Sequence, residues 1–270
     1  MKTTRRRAIA PRTEAHPARG PGTYITDRPG PGVPRDPLLV ADWDRTLMLH
    51  YEIDPEVLRP VVPFPLDLRG GKAYVSLVAF TLRDMRPHRG GRLATWLMRP
   101  IATHGFLNVR TYVRVGNMTG IHFITEYLDN ILSLALGPAT FGLPYRHARI
   151  RYEHAWETGT VHGLVADRAT KAALAYEARL DDGGDFKPAT PGTLTHWLME
   201  RYTAFTARGG VRRYFHVWHT PWPEMPVVVT IHDDTLLRVH LPWFTHARYV
   251  GANFSPGVFD VGMGRPHRLA

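Results

Sequence analysis

Residues 106–115 alternate without a break between two kinds of side chain. Phe106, Asn108, Arg110 and Tyr112 share one face of an extended chain, and Leu107, Val109, Thr111 and Val113 share the other. A helix would scatter these apolar positions round its whole surface, so the run reads as a strand. The same period recurs along the chain. Trp43, Arg45, Leu47, Leu49 and Tyr51 alternate with Asp44, Thr46, Met48 and His50, and residues 73–80 form a strongly β-prone run after the Gly70-Gly71 turn. Further strands are expected at 122–127, 147–156, 160–168, 172–180, 202–207 and 212–219, with Gly116-Asn117 and Gly209-Gly210 as turns. Helical signals are short. Asp54 can cap a turn opened by Pro55 and stopped by Pro60, Pro63 and Pro65; residues 130–139 are apolar; and Thr193 can cap a segment in which Leu194, Trp197 and Leu198 share a face. There is no internal repeat and no strand–helix alternation. The fold class that follows is α+β, mainly antiparallel β with a few short helices, closed or nearly closed on itself.

Composition narrows the chemistry. The 270 residues include no cysteine, which excludes disulfides, thiolate–metal sites and a cysteine nucleophile without assigning a compartment. The net charge of +10 is carried almost wholly by arginine; the lysines are Lys2, Lys72, Lys171 and Lys187. Residues 1–37, rich in Pro, Gly and Arg, hold eight bases against three acids and have too little apolar surface to offset their ordering entropy. They read as a disordered tail, and residues 38–270 as a single domain that is only mildly basic. No basic stripe with interleaved aromatics points to nucleic acid, and no apolar run approaches the ~18 residues of a membrane span. The expected partner is therefore a small molecule, with neither nucleic acid nor membrane, in a cytoplasmic setting; a homo-oligomer is a further option. There is no phosphate-binding glycine loop, no nucleophile elbow and no dinucleotide fingerprint, and no cofactor is expected. His216 and His219 would point to opposite faces of a strand, the wrong arrangement for one metal, so none is expected.

The segment Phe141-Gly142-Leu143-Pro144-Tyr145-Arg146-His147-Ala148 places three polar side chains behind a rigid Gly-x-Pro turn. It occurs among further strings in a fixed order: Asn108-Val109-Arg110-Thr111-Tyr112-Val113, Gly192-Thr193-Leu194, Glu200-Arg201-Tyr202, His219-Thr220-Pro221-Trp222-Pro223 and Phe254-Ser255-Pro256-Gly257-Val258. Together, from about Asp42 to the C-terminus, they resemble the uncharacterised YqjF-like family (domain of unknown function 2071), itself similar to acetoacetate decarboxylase. The resemblance implies a closed or cone-shaped β-barrel with a central cavity. In the decarboxylase two lysines follow the Gly-x-Pro turn and one forms a Schiff base with a keto acid. The matching positions here are Tyr145 and Arg146, neither of which can form an imine. The family pattern has His before its last aromatic-Ser-Pro-Gly-Val string, where this chain has Asn253.

Candidate residues follow. Arg146 suits bidentate binding of a carboxylate or phosphate, or is a turn arginine in solvent. Tyr145 suits a hydrogen-bond donor or weak acid, or a packed wall residue. If the face of Asn108, Arg110 and Tyr112 lines a cavity, the three make an anion-recognising row; the resemblance favours that over an ordinary solvent face. Glu126, on the partner strand, reads as a general base or as the ion-pair partner of Arg110. His104 and His147 flank the same elements as proton-transfer or structural groups. The resulting expectation is a cavity protein that acts on or binds a small carboxylate- or carbonyl-bearing metabolite, anionic in character, without Schiff-base lysine chemistry. A non-catalytic binding module and a homo-oligomeric structural protein are the alternatives.

Overall fold

The structure is a computed structural model and describes residues 36–180 and 184–269. The tail expectation for residues 1–37 therefore lies, apart from Asp36 and Pro37, outside the described residues. The chain runs β1 (Leu39–Ile53), α1 (Pro55–Leu58), β2 (Ala73–Pro87), α2 (Gly91–Met98), β3 (His104–Val115), β4 (Met118–Leu128), α3 (Ile131–Phe141) and the short β5 (Tyr145–His147). It continues through β6 (Arg149–Ala155), β7 (Thr160–Ala166), β8 (Ala173–Arg179), β9 (Lys187–Pro188), α4 (Leu194–Met199), β10 (Thr203–Arg208) and β11 (Val211–Trp218). The last elements are β12 (Pro223–Pro226), β13 (Val228–Asp233), α5 (Thr235–His240), β14 (Arg248–Met263) and β15 (His267–Arg268).

Neighbouring strands of the larger sheet follow the order β11-β10-β4-β3-β2-β1-β14, and a further pairing of β11 with β14 joins the two ends into a ring. All of these pairs are antiparallel except β10 with β4; β5 also adds to β4 in parallel. A second, antiparallel sheet of order β13-β8-β7-β6 stands beside it. Because side chains alternate along a strand, the large sheet feeds two separate cores. Leu47, Leu49, Leu77, Val109 and Phe254 point outward and pack with Val161, Val165, Leu174 and Tyr176 of the second sheet. Met48, Val78, Phe106, Tyr112, Phe123 and Phe215 point inward and fill the ring with Leu198 and Trp222. Both faces of β3 are thus buried, the polar one inside the ring.

Caps fall where their chemistry predicts. Asp54 accepts from the Glu56 amide at 2.9 Å, Thr193 from His196 at 3.2 Å and Asn130 from Ser133 at 3.1 Å. Some expectations need correction. The uninterrupted alternation from Trp43 to Tyr51 is broken by a bulge between Asp44 and Leu47, with Arg45 at φ 51°. The extra residue turns Trp43 into the ring core while Leu47 faces outward, so they do not share a face. The single strand expected over 147–156 is two: β5 joins the ring and β6 the second sheet, parted at the buried Ala148. α2, β13 and α5 carried no clear signal.

Candidate functional site

Two rows of polar side chains cross the inner face of the ring. In the first, His50 of β1 is directly opposite Ser76 of β2, which is opposite Arg110 of β3. His50 Nδ1 and Ser76 Oγ are 2.7 Å apart, and the Tyr112 hydroxyl reaches Ser76 Oγ at 2.5 Å. Beyond His50, the Asn253 amide of β14 donates to Glu224 at 2.6 Å. The second row lies one residue pair along: Asn108 of β3 is opposite Glu126 of β4, which is opposite Tyr145 of β5. Same-face neighbours on one strand are ~7 Å apart, which sets the spacing of the two rows.

The electrostatics of the rows are unusual for a protein interior. Arg110 is 4% exposed. One of its terminal nitrogens donates to the Leu198 carbonyl at 3.3 Å and lies 3.7 Å from Met48 Sδ, while Nε has no partner. No carboxylate among the described residues pairs with it. The ion pair read between Arg110 and Glu126 is therefore not formed: Glu126 packs against Asn108 and Tyr145, and its Oε2 is unpartnered. The ring's other buried guanidinium, Arg201, shows what a structural arginine looks like here. It meets Asp67 at 2.9 Å, donates to the Trp197 carbonyl at 2.7 Å and stacks on the Trp197 ring at 4.2 Å.

Burial raises the Glu126 carboxyl well above the usual carboxylate range, so it keeps its proton where an exposed glutamate has lost it. Burial, and then the neighbouring Glu126, holds the Tyr145 phenol well above its ordinary value. His50 is pushed down to about 3 by burial and then by the Arg110 charge, and is a neutral imidazole. Its Nε2 lies beside the Asn253 side chain outside hydrogen-bond geometry. Burial likewise takes His104 down to about 4. The site thus holds a buried guanidinium, a carboxyl with raised proton affinity, a phenol and neutral imidazoles, with Asn108 Oδ1 a further unpartnered acceptor.

Of the residues expected from sequence, Asn108, Arg110, Tyr112, Glu126 and Tyr145 are brought together on this inner face. Arg146 and His147 are not. Alternation along β5 that turns Tyr145 inward leaves Arg146 exposed, where its charge acts on Tyr127 of the outer core, and His147 is exposed at the strand end near Asp129. Lys72, Lys171 and Lys187 are all exposed. His216 approaches Thr203 Oγ1 at 3.3 Å, His219 stacks on Tyr202, and no metal-ligating cluster gathers among the described residues. A cleft of about 490 Å³ between Tyr51, Ile231, Arg238 and Phe244 lies outside the ring and contains none of these groups. Sequence reasoning missed His50, Ser76 and Asn253. The signal for His50 was present in the alternation with Thr46 and Met48, but a polar phase reads as a solvent face unless the sheet is known to close.

The DUF2071 family model, described as uncharacterized conserved protein, matches residues 40–257. The chain belongs to this family. Every inward residue named above lies within the match. The uncharacterized protein YqjF of Bacillus subtilis (strain 168) is 28% identical over 202 residues, covering 73% of this chain and 79% of YqjF. An acetoacetate decarboxylase-like enzyme from Sphingomonas wittichii RW1 superposes with a TM-score of 0.59 at 15% identity, covering 87% of this chain and 94% of that enzyme. The enduracididine biosynthesis enzyme MppR, complexed with pyruvate, gives 0.57 at 12% identity, covering 87% and 91%. At such identities the likeness speaks to fold: this DUF2071 chain has the acetoacetate decarboxylase-like architecture.

Proposed function

We propose that this DUF2071 protein takes a small carboxylate- or carbonyl-bearing metabolite into its ring and acts on it by proton transfer, without an imine to lysine. The observation that carries the reading is Arg110, a buried guanidinium with no carboxylate partner among the described residues. Leaving a charge unpaired in an interior costs several kcal/mol, which an incoming anion would offset. Its unpartnered Nε suits one edge of a carboxylate. The opposite row then meets the carbonyl end. Glu126 holds a proton, so it serves as general acid rather than base, and Tyr145 donates a hydrogen bond as a neutral phenol. Asn108 Oδ1 accepts from a hydroxyl or enol, and Tyr112 is held by Ser76. A binding module without chemistry has no need of an unpaired protonated acid, and this favours the enzyme reading. Arg146 and His147 have no part in it. Pyruvate, the ligand of the MppR complex, sets the scale of the molecule expected. The exposure of the three described lysines supports the imine-free route.

The test is thermal denaturation with pyruvate and other short oxo acids. Wild type is expected to gain several degrees at saturation, and Arg110→Met to gain none. Equal stabilisation of the two proteins would remove Arg110 from the site. Borohydride reduction in the presence of the same acids should leave the intact mass unchanged; a reduced adduct would overturn the imine-free route while leaving the cavity reading in place.

A further inference from the structure

Two helices joined through the turn at Arg99–Ile101 carry large apolar side chains that the ring core does not cover. α2 buries no residue, and its Leu93, Trp96 and Leu97 are each more than half exposed. It runs directly into a turn of 3-10 helix at Arg99–Ile101, whose Pro100 carbonyl accepts from the Asn130 amide at 2.7 Å. Asn130 is the cap of α3, and α3 exposes Ile131, Leu132 and Leu136, each again more than half. The other side of α3 faces the site: Gly137 lies against the Tyr145 ring and Leu134 packs on the ring core. Six large apolar side chains on adjoining turns are more than the scattered exposure normal for a protein surface. Val61, Val228, Val239 and Phe259 are also exposed, but on separate elements.

Charge decides the occupant. The sequence from Arg86 to Ile101 contains no acid and carries Arg86, Arg89, Arg92 and Arg99 with His88. Arg86 pairs with Asp260 and Arg89 with Asp36, whereas Arg92 and Arg99 have no carboxylate partner among the described residues. α3 itself is uncharged, and Arg213 lies against its C-terminal Gly142. Two acids stand close to this side: Asp84, exposed, whose amide meets Thr103 Oγ1 at 3.3 Å, and Asp129, half-buried, which accepts from the Gly105 amide. Exposed Trp and Leu flanked by arginines, of which Arg92 and Arg99 have no carboxylate partner among the described residues, is the pattern of a segment that lies in a membrane interface. A second copy docking on the same patch would set arginine rim against arginine rim. We propose that α2 and α3 form a docking surface for an anionic phospholipid bilayer. The expectation of no membrane partner followed from the lack of a spanning run, and no helix among the described residues is long and apolar enough to cross. A surface of short helices is invisible to that criterion.

Flotation of the full-length chain with phosphatidylcholine vesicles, plain or containing one-third phosphatidylglycerol, tests this. Wild type is expected to float with the anionic vesicles at about 0.1 M salt and to be released at about 0.5 M. Trp96→Asp with Leu132→Asp should lower the bound fraction at least about tenfold with an unchanged melting temperature, because both side chains are exposed. Arg92→Glu with Arg99→Glu should weaken anionic binding alone. Failure of wild type to float overturns the proposal. So does equal flotation of the Asp variant, which would assign binding to the basic N-terminal segment. A self-associated species in sedimentation velocity that the Asp variant dissolves, without vesicle binding, would overturn it in favour of a second copy.

Discussion

Burial acts on Glu126 and Arg110 differently because one of them can shed its charge and the other cannot. A guanidinium has no neutral form within reach to escape the cost of burial. Glu126 escapes the cost by holding a proton. Its folded affinity is raised above the unfolded value near 4.5, so its contribution to stability is fully present below that value and is lost as pH rises through the folded pKa. In that window the folded protein binds the extra proton, and stability falls by up to about 1.4 kcal/mol per pH unit. Glu126→Gln keeps the shape and removes the titration. The variant should match wild type within about 0.5 kcal/mol at pH 4 and become progressively the more stable of the two towards pH 8. Denaturant midpoints of the ligand-free proteins at several pH values measure this. A difference that does not change with pH would mean that Glu126 is ionised in the fold and hence no general acid.

α3 ties the polar row to its surroundings through one close approach. A Cβ on Gly137 would sit 2.1 Å from Cε2 of Tyr145, so the phenol occupies the space that any other residue at 137 would need. Gly137→Ala should cost about 1–3 kcal/mol from overpacking, offset in part by the ~1 kcal/mol that alanine gains over glycine within a helix. It should also displace Tyr145 and reduce the thermal shift given by oxo acids. Adding Tyr145→Leu should restore the denaturant midpoint but not the ligand response. A simple stabilisation by Gly137→Ala would show that Tyr145 does not lie against α3. This contact could not be read from the chain, whereas the elements that make it could. The cap at Asn130 and the extended run through Tyr112 are local chemistry, and period two alone placed Asn108, Arg110 and Tyr112 on one face. Which side of the sheet that face meets depends on ring closure by β11 and β14, set by long-range pairing. For the same reason His50 and Ser76 had no visible partners, although they lie directly opposite each other once β1 and β2 pair. Arg146 passed for a site residue because a turn motif fixes position in sequence, while the alternation of three residues in β5 fixes direction.

The two cores share the large sheet, and their histidines share one titration behaviour. His50 and His104 lie on the inner face, at about 3 and about 4; His122 on the outer face and His154 of β6 in the second sheet border the other core, both at about 4. Desolvation is the first cause in each. The outer pair is also held by geometry: His122 Nδ1 is 2.9 Å from the Phe205 carbonyl, and His154 bridges the Arg45 carbonyl at 2.6 Å and the Tyr176 hydroxyl at 2.9 Å. In the unfolded chain all four take up protons near pH 6.5. Between that value and 4 the unfolded state binds more protons than the folded one. The stability they contribute is therefore complete above pH 6.5 and is lost as pH falls, the last part of it near 3 through His50. Glu126, Asp129 and Glu224, raised by burial, oppose this by gaining stability on the same descent, while His219, also lowered by burial, adds to the four. Because every ring strand contributes to one core or both, protonation on either face should melt the whole of residues 38–270 in one transition. Calorimetry at pH 7.5, 6 and 5 should show a single peak that moves steadily to lower temperature. His122→Asn and His104→Asn, one from each core, should each flatten that dependence to a similar extent. Two peaks, of which only one responds to His104→Asn, would instead make the ring and the second sheet separate cooperative units.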